Sequence, residues 1–165
     1  MKRLILMRHA KSDWGNPMLS DHARPLNRRG RRSASALGDW LRSEDHLPDR
    51  VLCSTAFRAA ETCTRLALPV APDLDDRLYL AEPPAMLARL RAAAGARVLM
   101  IGHNPGIAEF AARLLAAPPG HDRFDDYPTG ATLVADFDID DWSALSEGTG
   151  RAVDFIIPRS LTDTA

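Results

Sequence analysis

Leu4-Ile5-Leu6-Met7-Arg8-His9, residues 4–9, is a run of four large apolar side chains that stops on two basic ones. A run this short, bounded by polar residues, reads as a strand buried on both faces. The pattern recurs at Arg50–Cys53, which leads into Ser54-Thr55, and at Arg97–Ile101, which leads into Gly102-His103-Asn104. These read as a second and a third strand.

Helical periodicity fills the intervals. After a loop over residues 10–25, marked by Gly15, Pro17 and Pro25, a helix is expected from Arg28 to Ser43, with Ala34, Leu37, Trp40 and Leu41 on one face. Ser54 and Thr55 are good N-cap types for a helix reaching Ala67, with Phe57, Ala60, Cys63 and Ala67 as its apolar face and Pro69 and Pro72 ending it. Pro83 and Pro84 suit the first turn of a helix running to about Ala94, with Met86, Leu87 and Leu90 on one side. Asn104 suits a cap for the next helix, with Pro105 just inside and Ile107, Phe110, Ala111 and Leu114 facing inward. Residues 117–130 read as a loop. Ala131–Phe137 and Ala152–Ile157 read as late strands, joined by a hairpin-like connection that holds Trp142. Strands alternating with helices imply a three-layer α/β/α sandwich around a mostly parallel central sheet, with one antiparallel strand from the C-terminal region.

The 165 residues suit a single domain spanning 1–165, large enough to bury a core. Hydrophobic residues make up 45% and charged residues 26%, ordinary values for a globular chain. No apolar run approaches the ~20 residues of a membrane helix, and Leu4–Met7 is too short for a signal peptide, so no membrane partner and a cytoplasmic location are expected. Cys53 and Cys63 match no zinc spacing and read as reduced thiols. A net charge of −1 gives no sign of nucleic-acid binding. The charge is uneven, however. Residues 1–65 carry 13 Lys/Arg against 7 Asp/Glu, and residues 66–165 carry 8 against 15. An arginine-rich first half suits an anionic ligand or a solvated face.

The strand ends carry the chemistry. In open α/β sheets ligands bind outside the carboxyl ends of the strands. Arg8-His9, Ser54-Thr55 with Arg58 one turn on, and His103-Asn104 all fall there. Two arginine forks, two imidazoles and two helix starts suit a phosphoryl group. The chain has no GxxxxGK[ST] loop and no Asp-rich strand end, and Cys53 stands one residue too close to Arg58 for a Cys-x5-Arg loop. A histidine nucleophile is what remains. Neutral imidazole attacks phosphorus, cationic donors hold the equatorial oxygens, and a carboxylic acid protonates the leaving atom.

Leu6-Met7-Arg8-His9-Ala10-Lys11-Ser12 resembles the Arg-His-Gly signature of the histidine phosphatase superfamily. Ser54-Thr55-Ala56-Phe57-Arg58-Ala59-Ala60-Glu61-Thr62 resembles its Ser-x-x-x-Arg-x-x-x-Thr motif, and Gly102-His103-Asn104 its third. Asp21–Gly30, with Arg24-Pro25-Leu26 and Arg29-Gly30, and the short length are similar to the SixA-type phosphohistidine phosphatases. The resemblance runs from about Lys2 to Arg159. It implies His9 as the phosphorylated nucleophile and Arg8, Arg58 and His103 as phosphate ligands. It implies Glu82 as the acid, with Asp13 the competitor by proximity to His9. Ser54, Asn16 and Arg24 are candidate pocket residues. Arg24 reads equally as an ion-pair partner of Asp21, and Arg58 as one of Glu61 or Asp49.

Ala10 stands where the signature has Gly, and Gly15 where the mutase branch often has Asn, with Asn16 next door. The chain lacks the insertions that build a lid in the mutases, so the resemblance implies an open pocket. The expected partner is a phosphorylated substrate, either a phosphohistidine protein or a small phosphate ester, with no cofactor and no metal. His9 is expected neutral and His103 protonated. Arg58, read as an exposed helix residue, is expected to matter for turnover and little for stability. The other readings are a mutase-like phosphotransferase or small-metabolite phosphatase, and a non-catalytic phosphate-binding module. Arg28, Arg29, Arg31 and Arg32 read as a solvated helix face or as a docking surface for an acidic phosphoprotein. His22, His46 and His121 read as surface residues.

Overall fold

The computed structural model describes residues 1–162. Its strands are β1 (Lys2–Arg8), β2 (Arg50–Ser54), β3 (Pro72–Asp75), β4 (Arg97–Gly102), β5 (Thr132–Phe137) and β6 (Arg151–Ile156). Its α-helices are α1 (Arg28–Ser43), α2 (Phe57–Leu66), α3 (Pro83–Arg91) and α4 (Gly106–Leu114). The strands form one sheet in the order β3-β2-β4-β1-β5-β6. β1, β2, β3 and β4 are parallel, and β5 runs antiparallel to both β1 and β6. Only β5 therefore opposes the common direction, and the sandwich is mostly parallel as its sequence implies.

The central strand shows why the sequence adopts this architecture. Side chains alternate across a strand. Leu4 and Leu6 enter one core with Ile107, Phe110 and Leu114 of α4 and Met86 and Leu90 of α3. Ile5 and Met7 enter a second core with Leu37 and Leu41 of α1 and Ala59, Cys63 and Leu66 of α2. All four β1 residues are fully buried. Each such aliphatic side chain contributes about 1.5–3 kcal/mol of burial, so a polar residue at any of the four would open the sandwich. Trp142, in the β5–β6 connection, closes the first core and donates its indole N–H to Gly95 O at 2.8 Å.

Several local expectations change. β3 lies where the sequence offers only Pro72 as a helix stop. It is a four-residue, mostly exposed edge strand that begins with proline, and so it has no apolar alternation to reveal it. The buried face of α2 is Arg58, Ala59, Thr62, Cys63 and Leu66, while Phe57 is exposed. An apolar count alone rotates that helix, because Arg58 and Thr62 are buried for their hydrogen bonds. The same helix starts at Phe57, so Thr55 lies outside it. Ser54 is the last residue of β2, and its Oγ accepts from the Ala56 N–H at 3.2 Å. α3 stops at Arg91, short of Ala94. His46 is buried, 5% exposed, between Trp40, Arg3 and Asp154, and is not a surface residue. No helix among the described residues is long and apolar enough to cross a membrane.

Candidate active site

Parallel register brings the strand ends level. Arg8 pairs with Gly102, and Cys53 with Ile101. β4 lies between β1 and β2, so the residues that follow β1 and β4 are neighbours. The His9 and His103 rings sit 5.1 Å apart. α1 is held against the same rim. Asn27 caps it by accepting from the Gly30 N–H at 2.8 Å, and Gly30 packs so closely that a Cβ there would lie 2.0 Å from Lys11 O. Only glycine permits that approach.

The result is a cavity of about 440 Å³ lined by Arg8, His9, Asp13, Arg24, Arg58 and His103, with Lys11, Ser12, Trp14, Asn27, Leu80, Asn104 and Thr129 around them. His9 Nδ1 lies 2.7 Å from Ala10 O. A carbonyl only accepts, so Nδ1 carries the ring proton. In the neutral ring Nε2 then keeps its lone pair, and the Arg58 Nε–H faces it at 3.4 Å. Ala10 is anchored in turn, because its N–H donates to Thr62 Oγ1, which donates to Arg58 O.

Burial pushes the His9 imidazolium down to about 3, and His103, Arg58 and Arg8 add repulsion. His103 is likewise held down to about 3, first by burial and then by Arg58. Both histidines are therefore neutral in the protein alone, where His103 was expected to be charged. Its Nε2 lies 2.7 Å from Ser54 Oγ. That hydroxyl accepts from Ala56 and can also donate to His103 Nε2, the arrangement in which the ring proton sits on Nδ1. His103 Nδ1 and Arg8 Nε are both buried without a hydrogen-bond partner among the described residues. Such orphaned nitrogens are costly unless a ligand meets them.

Arg58 is buried, 3% exposed, and not a surface residue. Its fork grips Asp21, with Nη1 on the backbone carbonyl at 2.7 Å and Nη2 on the carboxylate at 3.0 Å. Glu61 and Asp49 do not pair with it. Glu61 instead accepts from Leu26 N–H, and Asp49 from Ala96 and Arg97 N–H. Asp21 also receives Arg24 and the Tyr79 hydroxyl. The Tyr79 bond, followed by those from Arg58 and Arg24, holds its carboxyl well below the usual carboxylate range. Asp21 and Tyr79 were not foreseen as site residues. The sequence marks Asp21 only through the Asp21–Gly30 stretch and its spacing to Arg24, and Tyr79 not at all.

Among the residues singled out from sequence, the structure brings together Arg8, His9, Arg24, Arg58, His103 and Asp13, with Ser54 directly behind His103. Arg24 has both expected roles, pairing with Asp21 and lining the cavity, where Trp14 stacks over its guanidinium at 3.4 Å. Two residues are not brought in. Glu82 is exposed at the N-cap of α3, because the chain turns at Leu80 (φ 50°) and presents Leu80 to the cavity in its place. Asn16 is exposed and closes its own turn by accepting from Met18 N–H at 3.0 Å. Asn104 lines the rim, yet it does not cap α4. Its amide donates to Asp126 O and Tyr127 O, and the helix begins at Gly106.

This geometry can be set beside known proteins. The histidine phosphatase superfamily (branch 1) model matches residues 4–80. An uncharacterized protein of Mycobacterium leprae is 33% identical over 162 residues, covering 93% of this chain and all of that protein. A provisionally assigned phosphohistidine phosphatase SixA from Nakamurella multipartitia has a TM-score of 0.83 at 28% identity, over 95% of this chain and 96% of that one. Another, from Agrobacterium tumefaciens, has a TM-score of 0.77 at 27% identity, over 95% and 98%. The chain therefore belongs to the histidine phosphatase superfamily, with a SixA-like structure.

Proposed function

We propose that this protein is a metal-independent phosphatase that hydrolyses phosphohistidine, and more slowly phosphate monoesters, through a phosphohistidine on His9. The observation that carries this reading is the pair of imidazoles. The His9 proton is tied to Ala10 O, and its Nε2 faces a rim where Arg8 Nε and His103 Nδ1 lack partners among the described residues. His9 Nε2 attacks phosphorus, an N–P bond forms, and the bond to the leaving atom breaks with its electron pair. Arg8, Arg58 and His103 hold the three equatorial oxygens as charge develops. Water then attacks phosphorus, the N–P bond breaks, and the pair returns to Nε2.

The carboxylates favour the phosphohistidine substrate. Asp21 is held ionised by Tyr79, Arg58 and Arg24 and so has no proton to give. Glu82 is outside the cavity, which leaves Asp13 as the lining carboxylate. An oxygen ester needs a proton on a poor leaving group. A phosphoimidazole takes its own from solvent at neutral pH, because imidazole titrates near 6.5. Asp13 then serves as the base for water, and as the acid for oxygen esters.

The test compares kcat/KM of wild type and Asp13→Asn on phosphoimidazole and on an alkyl phosphate such as phosphoserine, because kcat/KM reports the transfer to His9 and not the later hydrolysis. The expected result is a loss of about 10²-fold on the alkyl ester and a smaller loss on phosphoimidazole. Equal losses on both, or no release of phosphate from phosphoimidazole by wild type, would contradict the assignment.

A further inference from the structure

The four arginines at the start of α1 have no part in the chemistry above. Arg28, Arg29, Arg31 and Arg32 crowd the positive end of a helix dipole, and the first turn holds no acidic residue to offset them. Arg29 is one wall of a second, smaller cavity of about 170 Å³. Lys11, Ser33, Arg123, Thr129 and Arg159 also line it. Lys11 and Thr129 line the catalytic cavity too, so the two spaces share a wall.

The cations of this groove differ in their partners. Arg123 is neutralised by Asp126, with three contacts of 2.9–3.2 Å. Lys11, Arg29 and Arg159 form no ion pair with any carboxylate among the described residues. Most arginines elsewhere do, including Arg3, Arg24, Arg42, Arg58, Arg77, Arg89 and Arg97. Ser33, 4% exposed, adds a hydroxyl-bearing side chain to the same wall. Three cations without a carboxylate partner among the described residues thus stand together with Ser33 one shared wall from a phosphate-sized site.

We infer that the groove of Lys11, Arg29, Ser33 and Arg159 binds a second anionic group, a carboxylate or a phosphate, carried by the same substrate whose phosphoryl group sits at His9. This rests on the phosphatase reading and narrows its substrate class to doubly anionic molecules. A phosphoprotein with acidic side chains beside its phosphorylated residue satisfies the groove, and so does a bis-phosphorylated small molecule.

Calorimetry tests this without turnover. Methylphosphonate is compared with α,ω-alkanediphosphonates of increasing spacer length, on wild type, Arg29→Ala/Arg159→Ala and Arg29→Lys/Arg159→Lys. Neither arginine lines the catalytic cavity, so methylphosphonate should bind all three proteins equally. The best diphosphonate should bind wild type at least about tenfold tighter than methylphosphonate. That preference should fall to about twofold in the alanine pair, survive in part in the lysine pair, and shrink with salt. No preference for any spacer in wild type, or an undiminished one in the alanine pair, would overturn the subsite. Failure of methylphosphonate to bind would instead count against the phosphatase reading, while the diphosphonate preference would still report on the groove. Two phosphoserine peptides, one flanked by Glu and one by Ala, identify the source. Selective binding of the Glu peptide assigns the groove to acidic side chains. Equal binding, with the diphosphonate preference intact, assigns it to a small bis-phosphorylated molecule.

Discussion

Two places on the rim of this sheet gather cationic side chains, and they differ in one respect. At the end of β3, Asp75 accepts from Arg77 and from Arg89 at 2.8–3.0 Å, and its carboxyl is held down to about 2, first by the Arg77 bonds. Asp75, Arg77 and Arg89 are all paired there. At the ends of β1 and β4, Arg8 Nε and His103 Nδ1 are buried, and neither has a hydrogen-bond partner among the described residues. Closed ion pairs fasten a fold, whereas buried donors left open face a ligand. Residue type alone does not tell these regions apart, but their partners do.

The comparison breaks if activity and stability do not separate along it. Arg8→Ala should lower kcat/KM by about 10²–10³-fold, since on the proposed mechanism it removes a donor that meets the transition state, and should change the melting temperature little. Arg58→Ala should cost a similar factor and also about 1–3 kcal/mol of stability, because it strips two bonds from Asp21 in the 10–25 loop. Asp75→Asn should lower the melting temperature with turnover within about twofold of wild type. Thermal melts beside steady-state kinetics check all three. An inactive but equally stable Asp75→Asn, or an active Arg8→Ala, would dissolve the distinction.

A smaller effect sharpens it. Burial keeps His9 and His103 neutral down to about 3, whereas an unfolded chain protonates histidine near 6.5. Between those values the unfolded state binds more protons, so stability should fall as pH drops from about 6.5 toward 3, by up to about 1 kcal/mol per pH unit for each ring. Denaturant melts at pH 7 and pH 5 should show this loss. His9→Asn/His103→Asn should flatten it. A stability independent of pH in that window would mean the rings are more hydrated than their burial indicates.

Much of this was legible in the sequence. Arg28–Ser43 is the observed span of α1, because its caps and apolar spacing are local. His9, Arg8, Arg58 and His103 converge because each follows a short apolar strand, and parallel strands end together. What escaped was non-local. Asp21 and Tyr79 are 58 residues apart and meet only in the fold. Arg58 reads as exposed until Asp21 covers it. Glu82 reads as an acid until the turn at Leu80 carries it to the outside. The protonation of His103 depends on burial that no motif encodes.

The most direct test of the central claim is a rapid acid-free quench of wild type and His9→Ala after mixing with radiolabelled phosphoimidazole, followed by peptide mapping. The account predicts label on His9 of wild type that is stable in base and lost in acid, with none on the variant. Phosphate release without label on His9, or label retained in His9→Ala, would contradict it.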